Sequence, residues 1–268
     1  MRVSRRMIAR AAGRWLGEAA VHLFPSRCFG CDGPLPRVQL LGACPSCWGL
    51  LAAGRVPRCD RCALPLPDAV AGSVPANACC ARCAVRPPPF ERAVAAVAYD
   101  AHARRFLLRA KDGHRPEVLR PLAGQLAAAV SISGLAEDVD GVVPVPSTLI
   151  ARWRRGFDPA RKLAVVVADV CGLRLLDGVL KKRRIGGPPS KGLKASARWA
   201  LALRNVTPCR SVPGAVILLV DDVLTTGATA AACAVALRSA GAREVRLVVW
   251  ARTPSPESGF DRTPGTHL

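Results

Sequence analysis

Val216-Ile-Leu-Leu-Val-Asp221-Asp222-Val-Leu-Thr225-Thr226-Gly227-Ala228-Thr229 is the stretch on which the reading of this 268-residue chain turns. From Val216 to Val220 it is aliphatic without a polar break, the pattern of a strand buried on both faces of a parallel sheet. Two acids end the run. A short loop of hydroxyl residues and glycine then opens a helix predicted over 230–240 and stopped by Gly241. Backbone N–H groups, threonine hydroxyls and the positive end of a helix dipole converge in such a loop, and together they cradle a phosphate. Asp221 and Asp222 cannot favour that phosphate. They are placed instead to accept hydrogen bonds from sugar hydroxyls beside it, or to help hold a divalent ion. A dinucleotide fold would put Gly-x-Gly-x-x-Gly ahead of the helix, and none stands there. Phosphate, ribose and metal together describe a phosphorylated sugar.

Working outward, strands and helices alternate from Ala93 to Arg252. Strands are expected at 93–99, 139–146 and 245–250, and helices at 101–111, at 117–130 and from Asp158-Pro159 onward. This predicts an α/β domain with a mostly parallel sheet flanked by helices and its site at the carboxyl ends of the strands, where Val143-Pro-Val-Pro146 and the two acids both fall. Residues 178–198 are basic and rich in Gly and Pro, and read as a mobile loop. The boundaries that follow are an amphipathic helix at 1–27, a Cys-rich domain at 28–86, the α/β domain at 91–252 and a disordered tail at 253–268, with Arg86-Pro-Pro-Pro89 as a stiff linker.

The Cys-rich segment carries four Cys-x-x-Cys pairs: Cys28/Cys31, Cys44/Cys47, Cys59/Cys62 and Cys80/Cys83. Each pair forms a knuckle that presents two thiolates, and two knuckles complete a tetrahedral Zn²⁺ site. Gaps of 12 and 17 residues suit zinc ribbons, so two structural zinc ions are expected. Four thiolates per ion leave no open position, and hence no catalytic water. Sequential and interleaved pairings both satisfy the spacing, and Cys79 is either a spare or a competing ligand. With few apolar residues there, metal binding would supply much of the folding energy.

Composition bounds the rest. Lys plus Arg number 39 against 19 Asp plus Glu, a formal net charge of +20. Such a surface attracts nucleic acid, acidic membranes or polyphosphate substrates. Aromatics are only 4% of the chain, so stacking platforms for bases are scarce. Twelve Cys, eight of them in metal spacing, imply a reducing compartment. Ser4-Arg5-Arg6 resembles the start of a twin-Arg signal, but Arg14, Glu18 and His22 interrupt the apolar region that must follow. No run has the ~18 uninterrupted apolar residues that a membrane span needs, so the chain is expected in the cytoplasm.

Val220-Asp221-Asp222-Val-Leu-Thr225-Thr226-Gly227-Ala228-Thr229 resembles the phosphoribosyl-pyrophosphate motif of type I phosphoribosyltransferases. The whole arrangement resembles the ComF family: a double zinc ribbon, then a phosphoribosyltransferase domain. Phe24-Pro25 before Cys28, Lys111-Asp-Gly113, and Val143-Pro-Val-Pro146 followed by Arg154-Arg155-Gly156-Phe157 fit that family, with Asp158 where Asn is usual. Lys191 stands where the family has Gln, and Leu201 after Arg198 where it has Asn. The resemblance implies a Mg²⁺-dependent displacement of pyrophosphate from ribose C1 by a nitrogen nucleophile. It assigns the ribose hydroxyls to Asp221 and Asp222 and the 5-phosphate to the Thr225–Thr229 loop. Arg155, Lys162 and Arg183 are candidates for the leaving pyrophosphate, Arg155 foremost because it follows the strand end that carries the pyrophosphate loop. The resemblance equally implies an accessory protein for single-stranded DNA uptake alongside a helicase partner, with a ligand pocket that binds without turnover.

Overall fold

The computed structural model of the chain describes residues 27–35, 42–52, 57–66, 78–111, 116–183 and 202–254. The expected N-terminal helix, Phe24-Pro25, Gly113, Lys191, Arg198, Leu201 and the tail from 255 lie outside them.

Four strands build the central sheet: β1 (Arg92–Ala98), β2 (Gly141–Pro144), β5 (Val216–Leu224) and β6 (Glu244–Arg252). Their order is β1-β6-β5-β2, and every pairing is parallel. Parallel neighbours need long crossovers, and the helices supply them. On one face lie α3 (Ala101–Lys111), α4 (Leu119–Ile132) and α6 (Pro159–Val170), packed on Val142, Leu218, Val220, Val248 and Trp250. On the other, α7 (Ala228–Ser239) covers Val143, Ile217, Leu219, Leu247 and Val249. Residues alternate between the two cores along each strand, which is why β5 carries no polar residue until Asp221.

Strand β5 extends to Leu224, so both acids sit inside the last turns of the ladder rather than beyond it. The segment 178–198 corrects the sequence reading at its near end. Residues Leu180–Lys182 form β3, paired antiparallel with β4 (Val206–Pro208). Leu180 and Val206 are buried among Ala230 and Ala234 of α7, so apolar docking fixes a hairpin that its basic composition hid. Thr253 is likewise held, its N–H donating to Leu224 O at 3.1 Å. Short helices α1 (Pro45–Ala52), α2 (Ala81–Val85) and α5 (Leu149–Arg155) complete the described elements, with one 3-10 turn at Pro116–Val118.

Among the described residues no helix is long and apolar enough to cross a membrane.

Candidate functional site

At the carboxyl end of β5, Asp221 accepts the N–H of Asp222 at 2.8 Å, and Asp222 Oδ2 lies 2.6 Å from Lys111 Nζ. Lys111 is the last residue of α3, where a cation also favours the negative end of the helix dipole. Both partners of that ion pair are mostly buried, with side chains 21% and 15% exposed. The Asp221 carboxyl is pushed up to about 7, chiefly by burial and then by the negative charge of Asp222, against the pull of Lys111 and Lys182. A carboxyl so placed gains from any hydrogen-bond donor or cation brought to it, as ribose hydroxyls or Mg²⁺ would be.

The loop that follows has the shape its residues foretell. Gly227 sits at φ 80°, the left-handed region where a side chain is strained, and forms the N-cap of α7 with no side-chain cap. The first-turn N–H groups of α7 therefore face the loop, apart from Ala228 N, which makes a long contact of 3.5 Å to Thr226 Oγ1. Thr226 Oγ1 therefore lies at that opening, with Thr225 and Thr229 beside it in sequence. The end of β2 runs alongside, with Pro144 in register with Val220 and Val145 N donating to Val220 O at 2.9 Å. Beyond it, Asp158 caps α6 by accepting from Arg161 N, and it also accepts Ser147 Oγ–H at 3.1 Å. The Asp at that position thus ties the loop after β2 to the helix behind it.

Sequence reasoning found the acids and the loop but missed which cations face them. Lys111 and Lys182 act on the acids, whereas Arg155 is half-buried at the end of α5, and Lys162 and Arg183 are exposed. Lys111 had a signal in the Lys-Asp-Gly triplet. Lys182 had none, since β3 was not foreseen.

The eight predicted cysteine ligands assemble sequentially: Cys28, Cys31, Cys44 and Cys47 in one group, Cys59, Cys62, Cys80 and Cys83 in the other, with sulfurs within 4.8 Å of one another in each. Cys79 is exposed and belongs to neither. Both sets fit Zn²⁺. In the first, Cys28 Sγ accepts from Gly30 N at 3.3 Å and Cys44 N at 3.2 Å. Burial alone would raise the Cys28 thiol, but these N–H groups outweigh it and bring it down to about 6. Hydrogen bonding from Cys62 brings Cys59 to about 4. Each group therefore holds a thiol that ionises readily, as a metal ligand must.

The second group touches the Thr225–Thr229 loop. Arg252, at the end of β6 and 5% exposed, donates from Nε to Cys62 O at 3.0 Å, and from Nη1 to Leu224 O at 2.9 Å, Thr225 O at 2.7 Å and Thr253 O at 2.7 Å. Arg82, between two ligands of the same group, donates to Thr226 O at 3.3 Å. A cavity of about 730 Å³ opens between them, walled by Val85, Phe90 and Leu224.

Similarity to known proteins runs through most of the chain. The family described as the phosphoribosyl transferase domain matches residues 132–261. DNA utilization protein YhgH of Salmonella typhimurium is 30% identical over 236 residues, which cover 85% of this chain and 98% of that protein. Competence protein F of Haemophilus influenzae is 26% identical over 238 residues, covering 85% of this chain and 97% of that one. Among solved structures, the purine phosphoribosyltransferase from Pyrococcus horikoshii Ot3 is 14% identical with a TM-score of 0.34, covering 49% of this chain and 84% of that chain.

Proposed function

We propose that this chain, which belongs to the ComF family of proteins with a phosphoribosyltransferase domain, binds phosphoribosyl pyrophosphate with Mg²⁺ at the end of β5 and transfers its phosphoribosyl group to a nitrogen acceptor. The observation that supports this best is the partly buried Asp221–Asp222 pair, partnered by Lys111 and followed directly by the Thr225–Thr229 loop that opens α7.

In this reading the loop N–H groups and threonine hydroxyls hold the 5-phosphate. Asp221 and Asp222 accept the ribose hydroxyls and stabilise positive charge as the C1–O bond to pyrophosphate breaks and the N–C1 bond forms. The acceptor nitrogen loses its proton, and pyrophosphate leaves. Neutralisation of the departing pyrophosphate is the chemistry that bound Mg²⁺ supplies. Lys111, freed from Asp222 as the ribose arrives, and Lys182 would share that task, with Arg155 at the end of α5 as a further candidate. Zinc has no part in the chemistry, because all four ligands in each group are protein thiolates.

A second reading has its own support. Relatives matching nearly their whole length are named for DNA utilization and competence, and the chain carries a net charge of +20. It would then handle single-stranded nucleic acid, with the phosphoribosyl site as a ligand pocket. A helicase partner and a cytoplasmic location belong to this reading too.

Calorimetric titration of zinc-loaded protein with phosphoribosyl pyrophosphate, with and without Mg²⁺, tests the first reading. Binding in the parent that vanishes in Asp221→Asn/Asp222→Asn is expected. Absence of binding in the parent would sink it.

A further inference from the structure

Helix α5 is an anomaly in this fold. It is capped by Thr148, whose Oγ1 accepts from Ala151 N, yet none of its seven residues is buried. Leu149 is 66% exposed, Ile150 47% and Trp153 86%. Trp153 lies three residues after Ile150 and four after Leu149, so the three form one apolar stripe. A tryptophan carries one of the largest apolar surfaces of any side chain, and a contiguous exposed apolar patch rimmed by charge marks a contact surface. Around it stand Arg152, Arg154 and Arg155.

The stripe borders a concavity of about 420 Å³ lined by Leu149, Arg152, Arg161, Lys181 and Lys182. Asp158 and Asp177 also line it, but Arg161 is already paired with Asp177 at 2.6 Å. Arg152, Lys181 and Lys182 therefore give the hollow its sign. An indole face beside a cationic hollow is the combination by which proteins hold unpaired nucleotides: the base stacks, and the phosphate settles among the cations. A flat anionic membrane would meet the stripe but not the hollow.

We propose that α5 and the adjoining hollow form a binding surface for single-stranded nucleic acid, with Trp153 as the stacking platform and Arg152 and Lys181 as phosphate contacts. This assigns a place to the nucleic-acid reading above and rests on that reading, not on phosphoribosyl pyrophosphate binding. The hollow adjoins the end of β2, so a bound strand would pass next to the candidate ligand site at the end of β5.

The test is fluorescence anisotropy of a labelled oligothymidylate of about 20 nucleotides, a length that spans one such surface, with full-length zinc-loaded protein. Trp153→Ala should weaken binding roughly tenfold, as loss of one stacked base does, while Trp153→Phe keeps most of it. Arg152→Gln/Lys181→Gln should flatten the salt dependence by about one to two counterions, a slope that Trp153→Ala leaves unchanged. Melting temperature and zinc content of Trp153→Ala should match the parent, as should its calorimetric titration with phosphoribosyl pyrophosphate. Equal oligonucleotide affinity in parent and Trp153→Ala would overturn the proposal. So would duplex bound as tightly as single strand, or capture by phosphatidylglycerol vesicles through Trp153 with no oligonucleotide binding. A parent that binds oligonucleotide through Trp153 but no phosphoribosyl pyrophosphate would sink the transferase reading and leave this surface standing.

Discussion

The two cysteine groups are built on one local plan and attached to the molecule by opposite means. In each, the first cysteine's N–H bonds across a tight turn, Cys28 to Gly33 O and Cys59 to Leu64 O, and an isolated bridge closes the knuckle, Arg27 with Pro34 and Arg58 with Pro65. In each, an arginine from the α/β domain donates to a cysteine carbonyl: Arg109 to Cys28 O at 3.2 Å, and Arg252 to Cys62 O at 3.0 Å. There the likeness ends. Around the first group, Phe29, Leu35 and Leu51 merge with Phe106 and Leu107 of α3 into the main core. Gly30 packs so closely on Cys47 that an added Cβ would lie 2.5 Å from its sulfur. The second group forms a small cluster of its own, joined to the domain largely by polar bonds: the Asp60–Arg92 ion pair, Ala93 N to Asp60 O, Arg252 and Arg82. Apolar attachment spreads its energy over many atoms, whereas polar attachment concentrates it in a few directed bonds. The first group is a foundation. The second is a prop under the Thr225–Thr229 loop.

The largest test of that contrast removes one ion at a time. Cys28→Ser/Cys31→Ser should leave one zinc per chain and lower the melting temperature by ~10 °C or more, because a structural site contributes several kcal/mol and opens a hole in the main core. Cys59→Ser/Cys62→Ser should also leave one zinc, but with a smaller loss of melting temperature and a larger loss of affinity for phosphoribosyl pyrophosphate. Equal effects on both readouts would erase the distinction.

Next in size is Arg252→Leu. It removes a buried cation that ties together carbonyls of Cys62, Leu224 and Thr225, and it should cost about 3–5 kcal/mol of stability, as breaking a buried charged network does. Affinity for phosphoribosyl pyrophosphate should fall at least tenfold at temperatures where the variant is folded, with both zinc ions retained. Arg109→Gln is its counterpart at the first group. Its bond to Asp32 is solvent-exposed, so a change within about 1 kcal/mol and no change in ligand affinity are expected.

Asp221→Asn separates binding from stability. The folded-state carboxyl titrates near 7, above the ordinary range near 4. The folded state therefore holds more protons than the unfolded one between those values, and stability falls as pH rises through that window. The variant abolishes this penalty while deleting a ribose contact. It should melt higher than the parent at pH 8, by on the order of 2 kcal/mol, match it near pH 4, and bind no ligand. Thermal melts across pH check the sign.

The smallest expected effect is local. Asp32 and Ala63 occupy the same place in the two knuckles, each at positive φ, 63° and 56°. Asp tolerates that conformation, whereas Ala does not. Ala63→Gly should stabilise the second group by up to about 1 kcal/mol, read as a small rise in melting temperature.

Much of this was legible in the residues themselves. An unbroken aliphatic run ending in acids fixed β5, and strand–helix alternation fixed the parallel sheet. Cys-x-x-Cys spacing marked both groups, though only the fold chose sequential pairing. What escaped depends on distant partners. Arg252 is one of 39 basic residues in the sequence, and nothing local says that it is buried beneath a loop. Lys182 lies in a basic segment whose hairpin is fixed by docking on α7, a contact no periodicity announces. Helix α5 was not foreseen either, and its exposed stripe follows from a core that packs without it.

The most direct measurement is hydrogen exchange across 221–229, followed by mass spectrometry, with and without phosphoribosyl pyrophosphate and Mg²⁺, in the parent and in Cys59→Ser/Cys62→Ser. The account predicts that ligand slows exchange of the Thr225–Thr229 amides in the parent, and that the variant exchanges them faster and gains little protection. Unchanged exchange in the parent on adding ligand would contradict the site. Equal protection in both proteins would contradict the prop.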